Sequence, residues 1–78
     1  MSYVDLIVKA LRNLGGQASY TEIYREIEEI TGITLDDGLM AGIRRTIHIY
    51  SSDSDGYNGV ADIFYSVQGK GYGVWGLR

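Results

Sequence analysis

The chain has 78 residues with 45% hydrophobic content and no cysteine, which predicts one small domain over residues 1–78 and excludes a disulfide framework or a thiolate zinc site. No apolar run is long enough to span a membrane and no secretory signal opens the chain, so we expect a cytoplasmic protein without a membrane partner. The formal net charge of −3 excludes a uniformly basic surface, although basic and acidic residues are segregated along the chain.

A first helix is predicted over residues 2–14, where apolar side chains recur at helical spacing and form one face. Ser2 is a suitable N-cap, because its hydroxyl can accept a hydrogen bond from a first-turn amide. Gly15-Gly16 then ends the helix, since glycine tolerates the left-handed conformation of a helix stop. A short extended segment is expected at residues 17–18.

Two more helices follow. A capping box that begins at Ser19 predicts a second helix reaching to about Thr31, and a connector at residues 33–36 leads to a third helix that ends near Tyr50. The third helix has one stripe of side chains that recur every four residues and are expected to be buried. These residues are Leu39, Ile43 and Ile47.

The pattern of apolar residues changes from helical to strand-like in the last part of the chain. Residues 60–67 are rich in β-branched and aromatic side chains and predict a strand, and residues 74–78 predict a short returning strand with Trp75 in the core. The loop between them, residues 68–73, contains three glycines. Three helices followed by a β-hairpin is the order of an α+β winged helix-turn-helix, in which the third helix is the recognition helix and the hairpin loop is the wing.

The residues themselves resemble a known family in two segments, GGQASYTEIYREIEEITG and IRRTIHIYSSDSDGYNGVADIFYSVQGKGYGVWGLR. The family comprises prokaryotic winged-helix domains attached to HNH-type and other restriction-like endonucleases, and it is distantly similar to HARE-HTH domains. The resemblance implies DNA recognition beside a nuclease, including recognition of modified bases in restriction–modification. This chain carries no nuclease, so we expect an excised domain, a stand-alone relative or one subunit of a pair.

The third helix supplies the foremost candidates for DNA contact, Arg44, Arg45 and His48. Residues 39–50 contain both arginines and no acid, whereas residues 22–38 are strongly acidic. Arginine can hold a guanine edge or a phosphate with two parallel hydrogen bonds. The alternative is an ordinary solvated helix face. The remaining candidates follow this helix, lie in the wing or end the chain, and they are Ser51, Ser52, Lys70, Tyr72 and Arg78.

The wing residues also have a plain structural explanation. A glycine-rich hairpin with one lysine can simply keep a sheet edge soluble. Most of the seven tyrosines are expected in the core or half-buried, because the chain has few other large apolar groups. A pocket for an extruded base is not expected in so small a domain.

The stretch SSDSDGYNGVAD, residues 51–62, nearly matches the ligand spacing of a calcium-binding EF-hand loop. Asp62 stands where that loop has a bidentate glutamate, and a strand is predicted to follow where a second helix is needed. We therefore interpret the stretch as a connector whose serine and aspartate oxygens satisfy turn amides. No metal or other cofactor is expected.

Two functions remain open at this point. The first is a non-catalytic DNA-binding module, because no nucleophile–base pair, phosphate loop or zinc constellation is recognisable in the sequence. Its partners would be double-stranded DNA, a partner or fused nuclease domain, and a second copy in a homodimer. The second is a protein-interaction winged helix, either a docking or dimerisation module or a small acidic inhibitor of a nuclease.

Overall fold

The computed structural model of the protein describes residues 2–69 and 73–78. The elements in chain order are α1 Tyr3–Asn13, β1 Gln17–Ser19, α2 Tyr20–Thr31, α3 Asp37–Ile49, β2 Phe64–Ser66 and β3 Val74–Leu77. Three helices and a three-stranded antiparallel sheet form an α+β arrangement that is consistent with a winged helix. No helix in residues 2–69 or 73–78 combines the length and apolarity that a membrane crossing requires.

Local side-chain caps define the helix ends, as the sequence predicted for α1 and α2. The hydroxyl of Ser2 accepts a hydrogen bond from the amide three residues on, and the carboxylate of Asp36 does the same for α3. Ser19 and Glu22 form a complete capping box at the start of α2. Gly32 ends α2 with φ of 70°, a left-handed conformation that glycine adopts without strain.

The sheet has β3 in its centre, with β1 on one side and β2 on the other. In the register, Ala18 pairs with Trp75 and Tyr65 pairs with Gly76. The hairpin predicted from the sequence is therefore extended by a third strand, because the short segment between α1 and α2 pairs with the end of the chain.

The prediction of a strand over residues 60–67 is wrong in length, since β2 contains only Phe64–Ser66. The backbone amides before β2 donate hydrogen bonds within turns instead of to a neighbouring strand. The side chain of Asn58 accepts from the amide of Val60, and the carbonyl of Tyr50 accepts from the amides of the two residues at 63 and 64. Val60 is 84% exposed, so its β-branched side chain does not mark a buried strand.

The core lies between the three helices and one face of the sheet. Ile43 and Ile47 of α3 are buried as predicted, whereas Leu39, at the start of α3, is only half-buried. Trp75 is also buried, with 6% of its surface exposed. The buried residues are Ile7, Ala10, Leu11, Ala18, Ile23, Ile27, Ile43, Ile47, Phe64 and Trp75.

Candidate functional site

The two arginines of α3 are exposed on the helix that Ile43 and Ile47 anchor in the core. Arg44 Nη1 donates a hydrogen bond of 3.0 Å to the hydroxyl of Tyr24 on α2. This hydrogen bond raises the pKa of the Arg44 guanidinium above its already high ordinary value. Arg44 is therefore a fully charged group that a neutral tyrosine orients.

Neither arginine of α3 forms a salt bridge with an acid of the described chain. Within residues 2–69 and 73–78, the salt bridges are formed by Arg78. The side chain of Arg45 makes no hydrogen bond or ion pair with another described residue, and it extends from an exposed position. Both side chains keep their charge, and apart from the bond of Arg44 Nη1 to Tyr24 their donors are open to an external ligand.

His48, one turn beyond Arg44, belongs to a cluster of aromatic rings at the end of α3. Its Nε2 lies 2.9 Å from the hydroxyl of Tyr20, and its ring centroid lies 5.2 Å from that of Trp75. Burial raises the pKa of the Tyr20 hydroxyl above its ordinary value, although Trp75 partly opposes this effect. The indole nitrogen of Trp75 is buried and has no acceptor in hydrogen-bonding geometry among the described residues.

Ser51, for which the sequence predicted DNA contact from its position after α3, does not lie at the surface of this structure. The residue is completely buried, and its hydroxyl accepts a hydrogen bond of 3.3 Å from the amide of Asp53. Ser52 is exposed, but both its amide and its hydroxyl donate to Asp62, at 2.9 and 2.6 Å. Lys70 and Tyr72 lie outside the described residues.

Arg78 has an internal role that sequence position did not indicate. Its Nε donates to Asp62 Oδ1 at 2.8 Å and to the carbonyl oxygen of Phe64 at 2.9 Å, while its Nη2 lies 3.2 Å from Asp53 Oδ2. Two carboxylates therefore balance its charge. Nε and Nη2 of Arg78 thus hold the loop that follows α3, and a DNA contact of Arg78 stays a prediction.

The stretch over residues 51–62 serves as a connector in the way the sequence indicated. The hydroxyl of Ser54 donates to the carbonyl oxygen of His48 at 2.7 Å and accepts from the amide of Gly56 at 3.0 Å. Asp53 accepts from the amide of Ser66 on β2 at 2.9 Å. In the described part of the chain, no three His, Asp or Glu side chains are grouped so as to hold a metal ion.

A cleft of about 490 Å³ lies beside the aromatic cluster, where the sequence predicted no deep pocket. Its lining comes from the start of α2, the end of α3, the connector and the hairpin. The described lining residues are Tyr20, His48, Asp53, Ser54, Asp55, Gly56, Ser66, Gly69, Gly73 and Trp75. The cleft could not be found from local sequence patterns, because residues far apart in the chain form it.

No protein-family model, no curated protein and no solved structure significantly matches this chain. The functional argument therefore depends on the residues of the site and on their geometry.

Proposed function

We propose that the protein is a non-catalytic module that binds double-stranded DNA through α3. The observation that carries this proposal is the pair of exposed arginines, Arg44 and Arg45, which form no salt bridge with a described carboxylate. They lie on the second helix of a helix–turn–helix pair, the position from which a recognition helix enters the major groove. His48 extends the same surface toward the hairpin.

Tyr24 supports the proposal because it limits the freedom of Arg44. A guanidinium held by a neutral hydroxyl loses less side-chain entropy when it binds than a freely rotating one does. The hydroxyl also accepts one donor without cancelling the positive charge. Arg44 is thus suited to the bidentate contacts that arginine makes with guanine or phosphate.

The small number of basic groups predicts weak and salt-sensitive binding. Because Arg78 is engaged by Asp53 and Asp62, its charge does not add to the surface on α3. Useful affinity then requires a second binding unit, since tethered modules gain through their effective concentration. A second copy of the chain or a nuclease domain, as in restriction systems, would provide this tether.

The test is fluorescence anisotropy with a short DNA duplex at low and at physiological salt. We expect Arg44→Ala/Arg45→Ala to weaken binding by at least about tenfold, because each lost charge-assisted contact contributes about 1–3 kcal/mol. The slope of log K against log salt should fall by roughly 2 if both arginines contact phosphate. Parallel duplexes with unmodified and modified cytosine test base-modification specificity.

The matched control is Lys9→Ala/Arg12→Ala, which removes the same amount of positive charge from exposed positions of α1. We expect this variant to bind nearly as well as the wild type. Equal losses of DNA affinity in the two variants would show that only the total charge matters, and would contradict a binding site on α3. Absence of binding to any duplex at low salt would favour the protein-interaction function instead.

A further inference from the structure

The cleft beside α3 is walled by aromatic rings from separate elements. Tyr20 comes from the start of α2, His48 from the last turn of α3 and Trp75 from the central strand β3. Their mutual contacts fix the walls, since the centroids of Tyr20 and Trp75 lie 6.4 Å apart and those of His48 and Trp75 lie 5.2 Å apart. Ligand sites commonly combine such apolar walls with a few oriented polar groups.

Asp53 provides the oriented polar group. Both described contacts of its carboxylate use Oδ2, which accepts from the Ser66 amide at 2.9 Å and lies 3.2 Å from Arg78 Nη2. The carboxylate is thus held in one orientation, while Oδ1 makes no hydrogen bond to any described residue. The side chain of Asp53 is 42% exposed and lines the cleft, so its carboxylate is open to a ligand.

The chemistry of the lining favours a cationic ligand over an anionic one. Asp53 is one of the described lining residues, and no lysine or arginine is among them. Aromatic faces attract cations through their quadrupole, and methylated ammonium groups add favourable contact with apolar walls. A carboxylate at the same site supplies the opposite charge.

We propose that this cleft binds a small organic ammonium ion, with Asp53 Oδ1 as its anionic partner and Tyr20, His48 and Trp75 as its walls. The ion is either a free methylated amine or the ammonium group of a lysine side chain on a partner protein. The site is separate from the two arginines of α3, and the proposal does not depend on DNA binding.

The test uses choline as the cation and 3,3-dimethylbutan-1-ol as a neutral molecule of nearly the same shape. Trp75 is the single tryptophan of the chain, so its fluorescence and its indole N–H resonance report on this cleft alone. We expect a saturable change with choline, with a Kd of about 1 mM or tighter, and a response at least about tenfold weaker with the alcohol. N-acetyl-lysine methylamide, titrated in parallel, represents the protein source.

The matched variants are Asp53→Asn at the site and Glu29→Gln on the exposed face of α2, since each removes one negative charge. Asp53→Asn should weaken choline binding by about tenfold, while Glu29→Gln should leave it unchanged. If Asp53→Asn does not fold, the comparison of choline with the alcohol in the wild type still decides the question.

Equal binding of choline and the alcohol, or no response to choline and to the lysine derivative, would overturn the proposal. A preference for the lysine derivative over choline assigns the ammonium to a partner protein, and the reverse preference assigns it to a free amine. Because these titrations contain no DNA, their failure leaves the proposed role of Arg44 and Arg45 untouched.

Discussion

Arg78 and Asp62 show how individual side chains can organise a long connector. Asp62 receives the amide and hydroxyl of Ser52 together with Nε of Arg78, so it joins both ends of the connector to the end of the chain. Single exposed ion pairs contribute little, roughly 0–1 kcal/mol, but here several hydrogen bonds converge on one carboxylate. Neither partner could be predicted from sequence, because residues 52, 62 and 78 carry no local signal of their proximity.

Asp62 should give the protein an acid-sensitive contribution to stability. The hydrogen bonds from Ser52, assisted by Arg78, lower the pKa of this carboxyl below its ordinary value. The contribution is present above about pH 4, the pKa of an unfolded aspartate, and is lost as the pH falls through the lower folded pKa. Asp62→Asn should therefore be less stable than the wild type at pH 7, and the difference should shrink toward about pH 2. Urea unfolding across this range measures it, and a difference independent of pH would contradict this assignment.

The secondary-structure elements differ in how well their local sequence predicts their bounds. The starts of α1 and α2 were predicted correctly because Ser2 and the Ser19–Glu22 capping box act within one turn. The length of β2 was not predicted correctly. Residues 60–63 have strand-like composition, but the amides of residues 60 and 61 bond to Asn58 and the amide of residue 63 bonds to Tyr50. The cleft was not predicted either, because it forms only when α2, α3 and β3, which are distant in the chain, come together. Arg44 and Arg45 are exposed, in agreement with the predicted burial of the stripe that contains Ile43 and Ile47.

Glycine is required in β3 but not in α3. A Cβ at Gly76 would overlap the ring of Tyr65, which Arg78 also covers at 5.9 Å from its centroid. A Cβ at Gly42 would come within 2.8 Å of Tyr3, but that side chain is 40% exposed and can move away. Gly76→Ala should lose about 1–3 kcal/mol of unfolding free energy, while Gly42→Ala should be neutral or gain up to about 1 kcal/mol from helix propensity. Chemical denaturation compares them, and a Gly76→Ala variant as stable as Gly42→Ala would show that Tyr65 also yields easily.

The molecule as a whole depends on one core and carries its charges on different parts of its surface. A row of side chains links its two candidate sites. Arg44 bonds to Tyr24, Tyr24 stacks on Tyr20 at 6.1 Å, and Tyr20 bonds to His48 beside the cleft. The basic surface of α3 and the cleft with its aspartates are thus connected through α2. This continuity depends on the position of both helices on the shared core.

Loss of one large core side chain should unfold much of the population. Phe64 is fully buried, and its truncation to alanine costs about 3–5 kcal/mol. A domain of this size has a total unfolding free energy of roughly 4–12 kcal/mol. Phe64→Ala should therefore lower the thermal midpoint sharply in circular dichroism. Val60→Ala, at an exposed position, should stay within about 0.5 kcal/mol of the wild type, and a similar shift in both variants would contradict the assignment of the core.

The central place of β3 has a consequence for protein synthesis. Both outer strands, β1 and β2, hydrogen-bond only to β3 within the sheet, and β3 is the last of these elements to emerge from the ribosome. Until then α1, α2 and α3 can form local structure, but β1 has no strand to pair with. Trp75, which completes the core next to Ala18, arrives in the same step. A nascent chain stopped before Val74 would expose that unfinished core to chaperones and proteases, so this fold is acquired only at the end of translation of this segment.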